Sequence, residues 1–61
     1  MKKGDRVFIH ADTPQYLLDR FPNQVGWICH EGPSWCPNCW VVENIHGNLI
    51  VISKDLFTLL D

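Results

Sequence analysis

Basic residues are scarce. Lys2, Lys3, Arg6, Arg20 and Lys54 are the only five in 61 residues, and the formal net charge is -2. They do not cluster beyond the first six positions. Phosphate binding draws on grouped Lys and Arg, so the charge balance argues against nucleic acid as a partner. Long apolar runs are also lacking. The longest aliphatic stretch, Leu49 to Ile52, is far too short to span a bilayer, and no membrane role is expected. Met1-Lys2-Lys3 is followed by Gly4-Asp5-Arg6 rather than by the apolar core of a secretory leader. The three cysteines cannot all pair. An odd count without a leader points to a reducing cytoplasm, not to a disulfide framework. Catalytic constellations are missing as well. Asp12, Asp19, Glu31 and Glu43 show no spacing that pairs two carboxylates, and no Ser-His-Asp set can be argued. The expectation is a protein that is not an enzyme.

What is present suits one small β domain over residues 1–61. The chain is 46% hydrophobic and 20% charged, a globular balance. A chain this short buries only about 60% of the surface its unfolded form exposes, so a metal or a partner would add useful stability. Arg6-Val7-Phe8-Ile9-His10 reads as a first strand, with Val7 and Ile9 on one face. Residues 12 to 24 form a long connection in which Thr13 is expected to cap a turn or two of helix, with Pro14 at its first position. Pro22 stops that helix. Val25-Gly26-Trp27-Ile28-Cys29-His30 is a second strand, where Gly26 signals a bulge, a bend or a close backbone. Trp40-Val41-Val42-Glu43 is a third. A tight turn over residues 44–48 requires a positive φ at Gly47 or Asn48. Leu49-Ile50-Val51-Ile52 is a fourth strand, Ser53-Lys54-Asp55 a single helical turn, and Leu56-Phe57-Thr58-Leu59-Leu60 a fifth strand. The order predicts an all-β, five-stranded barrel, partly open, with a short helical turn in its first long loop.

Gly4-Asp5-Arg6-Val7, the Pro-containing excursion closed by Val25-Gly26-Trp27-Ile28, the Trp40-Val41-Val42 strand and the closing Leu56–Leu60 segment together resemble the SH3-like small barrels. They are similar to the accessory barrels of the nitrile hydratase β-subunit and the ferredoxin–thioredoxin reductase variable subunit. The resemblance implies a docking or accessory role on a larger protein or enzyme complex. It also implies that the first long loop and the loop between the second and third strands flank a binding groove. Tyr16, Phe21 and Trp35 would then form the aromatic surface for a partner; core packing of Tyr16 and Phe21 is an equal alternative. The type II dihydrofolate reductases share this barrel and a Gly-Trp-x-Cys second strand. Where they carry Val-Gln-Ile-Tyr, however, this chain has Ile50-Val51-Ile52-Ser53. Ribosome-associated KOW barrels are related too, but the acidic balance here is unlike theirs.

The loop Glu31–Cys39 holds the richest chemistry. Cys36-Pro37-Asn38-Cys39 is a C-x-x-C, and Cys29 precedes it by seven positions. Zinc takes four tetrahedral ligands, often two from such a knuckle. Cys29, Cys36 and Cys39 would supply three, and His30, His10 or a water the fourth. Cys29 and His30 point to opposite faces of a regular strand, so both can ligate only if the strand breaks there. His46 lies roughly 20 Å off along the third strand at ~3.3 Å per residue. Redox activity is the weaker reading, because no helix follows Cys39 to lower a thiol pKa. Ordinary loop thiols are the plainest one. Three function classes stay open: a docking module, a zinc-stabilised KOW-like nucleic-acid module, and a small subunit of a redox enzyme.

Overall fold

The computed structural model describes residues 1–60. Five strands form one antiparallel sheet: β1 (Arg6–Ile9), β2 (Val25–Glu31), β3 (Cys39–Glu43), β4 (Leu49–Ser53) and β5 (Phe57–Leu60). Their lateral order is β4-β3-β2-β1-β5, with β4 and β5 as the two edges. Among the described residues these edges do not pair with each other, so the sheet is open and not a sealed barrel. A four-residue helix, α1 (Gln15–Leu18), sits in the long first connection as expected, and 3-10 turns cover Pro22–Gln24 and Lys54–Leu56.

Alternation along the strands sets the core. Val7 and Ile9 of β1 are fully buried, while Arg6 and Phe8 on the opposite face are exposed. Registers carry the same face across the sheet: Ile9 opposes Phe57, Ile28 opposes Val42, and Val42 opposes Ile50. Val7, Ile9, Ile28, Val42, Ile50, Ile52 and Phe57 join Phe21 in one cluster, with Leu17, Leu18, Trp40 and Leu56 against it. Residues from both edge strands meet in that one cluster. A flat sheet could not bring them together, so the sheet is strongly coiled around its inner face.

Gly26 marks where the first connection lands. A Cβ at this position would lie 2.5 Å from Val42 Cγ1, 3.2 Å from the Glu43 carbonyl oxygen and 3.3 Å from Phe21 Cε1. Of the three explanations its presence allowed, close approach is the one realised. The bulge falls three residues later: Ile28 pairs with Val42 but His30 with Val41, leaving Cys29 as the extra residue. Phe21 is only 1% exposed and packs in the core, so it is not available to a partner. This corrects its place in the expected aromatic surface.

Polar side chains tie the connections down. Thr13 does not cap α1. Pro14 occupies the cap position with no side-chain bond, and its carbonyl accepts from Leu17 and Leu18 N–H. Thr13 Oγ1 instead donates to the Leu56 carbonyl, and Gln24 Nε2 donates to the Ile9 carbonyl. Asn23 and Gln24 both adopt left-handed φ values, 62° and 58°, which turn the chain sharply into β2. Asn44, 4% exposed, does the most. Its Oδ1 accepts from His46 and Asn48 N–H, while its Nδ2 donates to the Arg20 carbonyl 2.6 Å away. The β3–β4 turn, with Gly47 at φ 82° as expected, is thereby fastened to the end of the first connection.

Two substitutions test this framework by chemical denaturation. Gly26→Ala overpacks the junction and should cost about 1–3 kcal/mol. Asn44→Ala removes both acceptor bonds and leaves the Arg20 carbonyl unpaired, and should cost about 1–3 kcal/mol. Wild-type stability in either variant would contradict the packing described.

Candidate functional site

The loop between β2 and β3 is built around close backbone contacts. Gly32 N–H donates to the Cys39 carbonyl at 2.9 Å across the loop's mouth. A Cβ on Gly32 would sit 2.7 Å from that carbonyl oxygen and 2.9 Å from its carbon, so only glycine lets the two strands meet here. Within the loop, Cys36 N–H donates to the Pro33 carbonyl and Cys39 N–H to the Cys36 carbonyl. From outside, Lys54 N–H donates to the Asn38 carbonyl, and Asn38 Nδ2 reaches Ser53 Oγ and Asp55 Oδ2. The loop is thus clamped to the end of β4 and the turn that follows.

Cys36 and Cys39 are joined by a disulfide, with Cα atoms 5.5 Å apart. The expectation of three thiols is not what this structure holds. Pro33 and Pro37 limit the backbone on either side of Cys36, and the turns they favour bring the two sulfurs together. Cys29 is a free, half-buried thiol at the bulge. His30 is exposed and its Nδ1 donates to the Glu31 carbonyl at 2.6 Å; a carbonyl only accepts, so that nitrogen carries the proton. β2 runs unbroken through Cys29 and His30, and its irregularity there is the register shift against β3. Among the described residues no three His, Cys, Asp or Glu side chains converge as a metal-binding group. Disulfide sulfurs are not thiolates, so this form of the loop does not present the donors zinc requires. His10 is engaged elsewhere: its Nε2 shares a hydrogen bond with Thr58 Oγ1.

A cleft of about 340 Å³ opens on the loop, at the small end of the roughly 300–1,000 Å³ typical of ligand sites. Pro33, Pro37 and the disulfide form its apolar wall, and Glu31 and Ser34 its polar part. Trp35, at the loop tip, is 80% exposed, and Tyr16 on α1 is 71% exposed. The cleft is lined by residues 31–39 alone, so Tyr16 does not contribute to it. Sequence reasoning located the loop, its cysteines and Trp35. It missed Gly32 and Asn38, whose roles depend on contacts with Cys39 and β4 that no local pattern announces.

Thiol counting checks the loop. Alkylation of the denatured, unreduced chain should modify Cys29 alone, and prior reduction should expose Cys36 and Cys39 as well. Three reactive thiols without reduction would show that the pair is not a disulfide. Compared with protein-family models, with curated proteins and with solved structures, the chain finds no match in any of the three, and its functional reading rests on its own geometry.

Proposed function

We propose that this chain is a non-enzymatic binding module, a small SH3-like barrel that docks on a larger protein through its cysteine loop and first long connection. The observation that carries the reading is Trp35. A large aromatic side chain is held 80% exposed at the tip of a loop fixed, in either redox state, by the Gly32–Cys39 contact and by the bonds from Asn38 to β4 and the turn after it. Aromatic residues are enriched at protein interfaces, and a preorganised loop loses little entropy on binding. Tyr16, on a separate element, gives a second aromatic contact. Support for the barrel reading comes from the strand order, the long first connection and the coiling that brings both edges to one core.

A cytoplasmic setting belongs to the same proposal. Among the described residues no helix is long and apolar enough to cross a membrane. In a glutathione-buffered compartment Cys36 and Cys39 would be a dithiol, with the disulfide as the oxidised form. The reduced form keeps a zinc reading in play, because the bulge at Cys29 removes the strand alternation that would separate Cys29 from His30. Native mass spectrometry of the reduced chain with and without chelator decides it. One bound zinc, lost together with folding, would favour the metal reading, and an unchanged apo mass would end it.

The docking reading predicts that immobilised wild-type protein retains a stoichiometric partner from native extract. Trp35→Ala should abolish that retention while leaving the melting temperature unchanged, because the side chain is solvent-exposed. No stoichiometric partner, or equal capture by Trp35→Ala, would contradict it.

A further inference from the structure

Strand β4 has an open edge whose chemistry is fully specified by its register with β3. Paired positions include Cys39 with Ser53, Trp40 with Ile52, Val41 with Val51, Val42 with Ile50 and Glu43 with Leu49. Hydrogen-bonded pairs alternate along an antiparallel ladder. Lys54 N–H donates to the Asn38 carbonyl, and Asn44 N–H to the Asn48 carbonyl. These bonds fix the phase: Ile52 and Ile50 bond to β3, and Leu49, Val51 and Ser53 aim their N–H and C=O groups away from it. Among the described residues no strand pairs with that row, since β4 is an edge. The usual protections are absent too. Leu49-Ile50-Val51-Ile52-Ser53 contains no charge and no proline, and its pairing with β3 shows no bulge. Leu49 and Val51 are 58% and 46% exposed on the outer face.

We propose that β4 pairs with β4 of a second copy of this chain, antiparallel and centred on Val51. A two-fold interface must be complementary to itself, and this edge is. With Val51 opposite Val51 of the second copy, Leu49 faces Ser53 and Ile50 faces Ile52. The outward-pointing residues then fall opposite one another as hydrogen-bonded pairs, giving about six main-chain hydrogen bonds. Continuing the register sets Lys54 against Asn48 and Asp55 against Gly47, so no like charges meet. The second edge fits less well. His10 N–H donates to the Leu56 carbonyl, which leaves only Phe57 and Leu59 of β5 among the described residues aiming backbone groups outward. Pairing β4 with β5 of another copy would also propagate head to tail, whereas β4 with β4 closes on itself. The self-paired form goes beyond the docking role and does not depend on it. It places the two cysteine loops at opposite ends of a shared sheet, so one assembly would present two of them.

Sedimentation equilibrium of the full chain over a range of concentrations, with reductant present so that Cys29 cannot cross-link, tests the proposal. The wild type should reach a plateau at twice the 7.1 kDa chain mass. Val51→Lys sets two ammonium groups across the dyad and should raise the dissociation constant at least about tenfold. Val51→Pro removes an N–H that β3 does not use and should act likewise. Leu59→Lys, on the other edge, should leave the dimer intact. Circular dichroism confirms that each variant is folded, and Val51→Lys alone decides if the proline variant is not. A wild type at the chain mass throughout, a dimer indifferent to Val51→Lys or lost in Leu59→Lys, or a mass that climbs without plateau would each overturn the proposal.

Discussion

The contact of Phe21 with β2 at Gly26 is the constraint on which the rest of the molecule depends. With no side chain at Gly26, the Phe21 ring and Val42 can close over the strand, and a cluster drawn from all five strands gains its one large contribution from outside the sheet. Phe21, with Leu17 and Leu18 packed against the same cluster, brings the first connection onto the sheet's inner face. The bond from Asn44 to the carbonyl of Arg20, next to Phe21 in the chain, ties the same connection to the β3–β4 turn, so apolar packing and a buried polar contact act together.

That junction frees the opposite end of β2 and β3 for other uses. Past Ile28 the ladder shifts register at Cys29 and resumes at His30 and Glu31, and just beyond it Gly32 admits the Cys39 carbonyl at contact distance. The loop beyond is stabilised by its own short-range bonds and by Asn38, with no buried apolar anchor of its own. Its exposed Trp35 and its cleft are consequences of this division: the core needs nothing from residues 33–38, so their chemistry is available for recognition.

Much of the fold was legible because it follows from local rules. Period-two alternation placed all five strands to within about a residue or two. Gly47 announced its left-handed turn, and the Ser53-Lys54-Asp55 turn appears one residue later, with Ser53 accepting from Asp55 N–H. What was not legible depends on distant partners. Thr13 looked like a helix cap because its true acceptor, Leu56, lies 43 residues away. Phe21 could be read equally as a core residue or as a partner contact, because its burial is set by Gly26 and Val42. Whether the edges of a coiled sheet meet is a matter of curvature, which alternation does not encode. The cysteine spacing likewise suits a metal knuckle and a disulfide equally, and compartment and redox state choose between them.

A junction at Phe21, Gly26 and Val42 belongs to the core, and the cysteine loop is held apart from it by local contacts. Amide hydrogen exchange measures this division residue by residue. Val42 and Asn44 should exchange only through global unfolding, whereas Ser34 and Trp35 at the loop tip should exchange through local opening at far lower free energy. Equal protection at the loop tip and at the junction would mean that the loop is part of the cooperative core. The division between the core and a separately held loop would then fail.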